Sequence, residues 1–574
     1  MSPLDRRALC WLPGLLLPAA FAAPVALSCH RAGDGLPPPR APDRPAAAAV
    51  AAGAAAPAPA MAQPGAAAPP DGVILPRGGE DIIEKARAMS AAEWASPPAQ
   101  FRAGHVTPRP LDPSAITKTG RGFAVQLPSR APLTTPAVHQ GLVLVSGGFR
   151  SKEFYAFRAE AGDLAWGISL DDDGPSTPAC EEGVCVFNTE SCTIFAVEVA
   201  TGKMLWSWWL GDPLTSAPTI ARGRVFASYP VPAGNAQQAA SVQQNAVVAP
   251  GSAPPAPKPA QAPGSPPARA AAGKPRPPGA SHALAAFDLR TGRVAWQRWL
   301  DADVMSAPVA YGKGLYAASF AGTLYVFDQA DGTILAARAV RATSAPVITR
   351  NLVYYTQRRD DGGEAREAVA YCAAGPDSGG GGTYSKPAPY LNHTVQQASK
   401  YAYESAGLDA ANGFAAGAPA AANAGVAAGL VGQANVSSMQ AFQGSRLLSL
   451  GELNINTMGD EVVATDAQGR KRWATPLAGD VRKAGGSLAA APIAAGGRIL
   501  VGTLAGEVQA LDPASGRRLT SYPVGSPIRA QLVAHRGWIY VGTIDGRLVA
   551  INTGDRGLTG WPTWGKDAAR SGAM

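Results

Sequence analysis

Histidine is scarce in this chain. The six present, at positions 30, 105, 139, 282, 393 and 535, show no metal-ligand spacing. Cysteine is equally rare, with six, and none stands at metal-finger spacing or in a C-x-x-C-H haem-attachment site. No phosphate-cradling glycine loop, nucleophile elbow or dinucleotide fingerprint occurs, so the common nucleotide and acyl-transfer chemistries have no carrier. Long apolar runs are missing as well. The longest, Leu9 to Leu27, is broken by Pro13, Pro18 and Pro24, which argues against a membrane span. Glycine and proline, 65 and 52 residues, stay below the share that marks a wholly disordered chain. The composition fits one large domain with low-complexity pieces attached.

The first of those pieces is N-terminal. Residues 1–29 read as a targeting segment, with Arg6-Arg7 ahead of the apolar stretch and Val25-Ala26-Leu27-Ser28-Cys29 resembling a bacterial lipoprotein processing site. Cys29 is the expected lipidated residue. Simple secretion and a twin-arginine signal are the alternatives. Residues 30–78 are Ala/Pro-rich, cannot bury a core and read as a tether. Over 79–119 one short helix is expected, because Ile82, Ile83, Ala86 and Met89 share a face.

Beyond it the chain repeats. Ser176 to Leu210 parses into four short strands. Ser176-Thr177-Pro178 opens the first, Glu182-Gly183 turns into Val184 to Asn188, a polar turn leads to Thr193 to Val197, and Thr201-Gly202 turns into a strand bearing Trp206. Copies are anchored at Pro136, Pro178, Pro218, Pro308, Pro346, Met439, Pro492 and Leu532, four of the steps being 42, 40, 38 and 40 residues. A period near 40 with four strands per copy marks a β-propeller. The expected fold is all-β, with eight four-stranded blades, or seven as the alternative. Each anchor Pro would begin an innermost strand, where no ladder hydrogen bond is lost. Trp166, Trp206, Trp296 and Trp473 recur four residues after a turn Gly such as Gly202 or Gly292, and are expected to pack between blades. Glu198, Asp288, Asp328 and Asp512 stand four residues before that Gly, placed to bond turn amides.

The pattern Ala286-Phe287-Asp288-Leu289-Arg290-Thr291-Gly292 with Trp296 resembles the pyrroloquinoline-quinone (PQQ) type propeller repeat. The resemblance covers about residues 120–572 and implies an eight-bladed ring. Two groups share the repeat: quinoprotein dehydrogenases, and non-catalytic envelope lipoproteins similar to the propeller subunit of the outer-membrane β-barrel assembly machinery. It is evidence for fold more than for function. Phe123 to Leu127 looks like a fourth strand that completes the C-terminal copy and closes the ring. Two insertions are expected, at 230–280 and 373–436. The first holds Lys258, Arg269, Lys274 and Arg276 without an acid, half of the formal net charge of +8. It lacks interleaved aromatics, so no nucleic acid is expected as a partner.

Candidate chemistry is sparse. Across the Glu182-Gly183 turn Cys180 and Cys185 face each other, either as a cross-strand disulfide or as two buried thiols. Asp171, Asp172, Asp173, Asp212, Asp301, Asp303 and Asp480 recur where a fourth strand leads into the next blade. They read as solvated turn acids, or as an acidic rim for a cation or a basic partner segment. A dehydrogenase of the resembled group would need a neighbouring cysteine pair over its cofactor and a calcium-binding acid set, and neither is evident. The expectation is therefore an envelope-anchored, extracytoplasmic, non-enzymatic scaffold for a protein or peptide, without cofactor. A PQQ- and calcium-dependent dehydrogenase is the alternative, and a surface polysaccharide-binding or structural protein the second.

Overall fold

The computed structural model describes residues 73–567, apart from 92–99, 231–276, 388–446 and some shorter loop stretches; beyond Tyr355 in blade five only the strands are described. The expectations for the leader, Cys29, the tether, Asp212 and most of both insertions lie outside the described residues.

Eight antiparallel sheets of four or five strands form. Numbered from the first Pro anchor, blade one spans Ala137–Leu170, blade two Ala179–Trp209, blade three Thr219–Leu300, blade four Val309–Ala339 and blade five Val347–Pro387. Blade six spans Leu447–Pro476, blade seven Ile493–Pro523, and blade eight Val533–Asn552 with Gly122–Gln126. That last pairing, Val125 opposite Leu548 and Phe123 opposite Ala550, closes the ring as expected.

Each blade has two apolar faces, which is why its strands carry consecutive rather than alternating apolar residues. Apolar clusters join neighbours around the ring: Phe154, Phe187 and Trp166 between blades one and two, and Phe123, Tyr155 and Tyr540 between eight and one. At blade six Ile455 packs toward blade seven, so alternation turns buried Asn454 and Asn456 toward blade five.

The tryptophans lock successive blades. Trp206 of blade two donates its indole N–H to Leu289 O of blade three at 2.8 Å, and Trp166, Trp296 and Trp473 make the same bond one blade on from their own. Each ring lies over the turn Gly of that next blade. A Cβ on Gly202 would meet Trp166 at 2.7 Å, and one on Gly292 would meet Trp206 at 2.7 Å. Both glycines also have positive φ, +71° and +67°. The repeat thus needs Gly twice, for the turn and for the indole. Asp288 and Asp512 accept turn amides as expected, whereas Glu198 reaches only the Thr201 hydroxyl.

Two sequence expectations need correction. Leu447–Leu450 is the innermost strand of blade six, paired with Leu453–Met458, so this copy starts eight residues later than the Met439 anchor. The fourth strand of blade five, which the sequence does not reveal, is Gly381–Pro387, so blade five extends into the stretch assigned to the 373–436 insertion. In both cases hydrogen-bonded pairing, not residue identity, sets the strand.

The N-terminal lead-in is a belt. Glu80–Asp81 pairs with the outer strand of blade four. The helix Ile83–Ser90 buries Ala86 between blades three and four with Ile82 and Ile83 against it, and Ser90 Oγ donates to Trp299 O at 2.9 Å. Gln100–Phe101 then pairs with blade two, Val106–Pro108 with blade one, and Ile116–Thr119 with Gly122–Gln126 in blade eight. The belt covers outer edges that would otherwise present unpaired backbone groups. Blades six and seven use another device. Their registers, Ala464 opposite Trp473 and Ala510 opposite Thr520, match Ala156 opposite Trp166 in blade one. Three residues on, blade one has Ser169, which the belt pairs; blades six and seven have Pro476 and Pro523, which carry no N–H.

Candidate functional site

Antiparallel alternation puts every loop from a fourth strand to the next blade, and every turn between second and third strands, on one face of the ring. The candidate acids therefore share a face. Both long undescribed stretches, 231–276 and 388–446, also start and end there.

The acids divide into two kinds. Asp172 accepts from the hydroxyls of Thr189 (2.7 Å) and Thr193 (2.6 Å) in blade two. Asp301 does the same with Thr323 of blade four. Asp303, only 5% exposed, accepts from Ser228 Oγ at 2.7 Å. These three are ties between a loop and strands, which corrects the reading of them as solvated turn acids. Asp171 and Asp480 are exposed. Asp173 is half-exposed and sits 3.3 Å from Lys152 Nζ.

Sequence reasoning missed one cluster on this face. The Arg109 guanidinium of the belt bonds buried Glu153 and the Tyr155 hydroxyl of blade one. Burial, with the Glu153 charge next, pushes the Tyr155 phenol up to about 12. The guanidinium offsets the cost of a buried carboxylate and pins the belt. Arg109 lies outside the repeat, so no periodic signal could point to it.

Cys180 and Cys185 sit directly opposite each other, both buried and both free thiols. The opposite face carries the Glu182-Gly183 type of turn. His139 there accepts from Gly183 N at 3.3 Å, and burial holds its ring below the ordinary value. The chain's last described stretch lies in the channel wall: Gly560–Trp561 pairs with the innermost strand of blade seven, and Ala534 N donates to Pro562 O.

Among the described residues, the cysteine pair and acids do not assemble a quinone site. Cys180 and Cys185 belong to the core between blades one and two rather than forming a cap over the channel. Asp172, Asp301 and Asp303 are engaged by hydroxyls. Among the described residues no three His, Cys, Asp or Glu side chains group as a cation site.

The fold, with its indole-on-glycine lock repeated from blade to blade, defines a PQQ-type repeat β-propeller. Residues 118–368 and 421–556, more than half of the chain, match the family model of outer membrane protein assembly factor BamB, and the chain belongs to that family. BamB from Moraxella catarrhalis is similar in structure at 13% identity, covering 76% of this chain and 97% of that one, with a TM-score of 0.43. A quinohemoprotein alcohol dehydrogenase from Pseudomonas putida is similar at 11% identity, with 77% of each chain covered and a TM-score of 0.42. The computationally designed Ika8 protein covers 74% of this chain and 96% of its own at 12% identity, with a TM-score of 0.45. No curated protein matches the sequence.

Proposed function

We propose that this protein is a non-enzymatic scaffold of the bacterial envelope, anchored by lipid on Cys29, that binds a protein or peptide on its loop face during outer-membrane protein assembly. One observation carries the reading: the family match spans both halves of the ring, and its family is described as an assembly factor. Two features of the ring support the loop face as the partner's site. Outer edges are paired by the belt in blades one, two, four and eight and blunted by proline in six and seven. The loop face keeps Asp171 and Asp480 exposed, so a basic, extended segment of an envelope protein is the complementary partner.

The test is crosslinking of the full-length protein in its native envelope, followed by capture. A partner protein should crosslink to wild type and be lost, together with the salt dependence of its capture, from an Asp171→Lys, Asp480→Lys variant. Unchanged capture would refute the loop face as the site. Glycan in place of protein would promote the polysaccharide reading. Separately, Cys29→Ala should leave the membrane fraction. PQQ with calcium should neither stabilise the protein nor support dye-linked alcohol oxidation; a stabilisation of about 2.7 kcal/mol at a hundredfold excess over Kd would overturn the non-enzymatic reading.

A further inference from the structure

The first turn of blade two has Glu182 at φ +49° and Gly183 at φ +80°, a two-residue hairpin turn with both central residues left-handed. In such a hairpin the pair flanking the turn, here Glu181 and Val184, exchanges backbone hydrogen bonds, and the next pair does not. That next pair is Cys180 and Cys185. Non-hydrogen-bonded partners bring their Cα atoms to about 4.5 Å, which falls within the range a disulfide spans.

The other blades supply an internal comparison. The same cross-strand position holds Val138 and Val143 in blade one, Ile220 and Val225 in blade three, and Ala310 and Leu315 in blade four. It holds Ala494 and Ile499 in blade seven, and Ala534 and Ile539 in blade eight. Packing between blades is satisfied there by two apolar side chains. Blade six replaces both members by polar residues, Ser449 opposite Asn454, and of the blades named here blade two alone replaces both by thiols, at 1% and 0% exposure.

We propose that Cys180 and Cys185 are a modification site, closed to a cross-strand disulfide as the chain folds in the presence of a disulfide oxidant. One thiolate attacks the oxidant's disulfide and forms a mixed disulfide, releasing one thiol of the oxidant. The second cysteine displaces the other. Two protein thiols are oxidised to one disulfide, and the oxidant's disulfide is reduced to two thiols, which take up both protons. The burial sets the timing. Once blade one covers the hairpin neither sulfur is accessible, so oxidation precedes docking of the blades, and the folded dithiol resists both oxidant and alkylating agent.

The chemistry itself does not rest on the envelope reading, but its occurrence in the cell does. The test therefore has two arms, in a Cys192→Ser background because residues 180, 185 and 192 fall on one tryptic peptide. In the first, denatured reduced protein is refolded with excess oxidised glutathione, then unfolded and alkylated. The expected 159–203 peptide is lighter by two hydrogens and takes no alkyl group, whereas in a Cys180→Ser control Cys185 has no partner to displace glutathione and carries either one glutathione or one alkyl group. Two alkyl groups on the refolded protein would overturn the inference. In the second arm the protein is taken from its native envelope with thiols trapped at lysis. A disulfide there supports both readings. A dithiol there, with a disulfide from the first arm, leaves the site standing and counts against the envelope placement.

Discussion

Gly292→Ala tests the lock between blades. The residue has φ +67°, and the new Cβ would stand 2.7 Å from Trp206 Cδ2 of the preceding blade. An alanine in the left-handed region costs about 1–2 kcal/mol. Forcing a methyl into a filled contact costs about 1–3 kcal/mol more. The expected destabilisation is about 2–5 kcal/mol. Blade three contains its own control. Gly223 has φ +69°, yet a Cβ there meets nothing within 4 Å, so Gly223→Ala should lose only the conformational part, about 1–2 kcal/mol. Urea unfolding of both variants, followed by circular dichroism, reads the difference. Replacing Trp206 by Ala in each background completes a double-mutant cycle, and coupling should appear with Gly292 but not with Gly223. Equal losses in the two glycine variants, or no coupling, would refute the claim that the repeat keeps this Gly for the indole.

His139 and His535 occupy the same repeat position, and burial, the largest cause for each, lowers both rings below the ordinary 6.5. Since the folded values are depressed, the unfolded chain takes protons first as pH falls, so their stability contribution is complete above about 6.5 and is lost as pH drops through the folded values. Urea midpoints between pH 8 and 5 should fall, and a His139→Asn, His535→Asn variant should flatten the slope; a slope unchanged in that variant would show that other groups carry it. Pro523→Val with Pro476→Val restores donors to two outer edges and should cause self-association visible by light scattering, while a monomer would mean that proline is not what protects them. Truncation before Val73, which packs on blade four with Pro76, should leave the melting temperature unchanged, truncation before Leu111 should uncover the belt edges, and truncation through Leu127 should destabilise the whole ring; equal stability of the first and third would disprove closure by Gly122–Gln126.

Much of the ring is local and therefore legible. Four strands per period, the positive-φ turn glycines, the Pro-led inner strands and the indole four residues after Gly are short-range requirements that each copy restates. Even the opposition of Cys180 to Cys185 follows from one two-residue turn. The acids were legible as residues but not in role, because Asp172 and Asp301 find their threonines only once the next blade is in place.

The sequence alone thus determined the repeat, the fold class and the closing strand, since period-40 patterning and turn chemistry are written within each copy. Tertiary structure alone decided where blade six begins, that Gly381–Pro387 is a strand, that Arg109 binds Glu153, and that a forty-residue lead-in pairs with the outer edges of blades four, two, one and eight while Pro476 and Pro523 blunt two others. The strands of blades five and six are set by which neighbouring backbone groups pair, without a residue signature, whereas the belt depends on groups that meet across large separations in the chain. For the belt, a pairing partner such as Arg338 for Asp81 or Trp208 for Phe101 lies a hundred or more residues away and leaves no periodic trace in either segment.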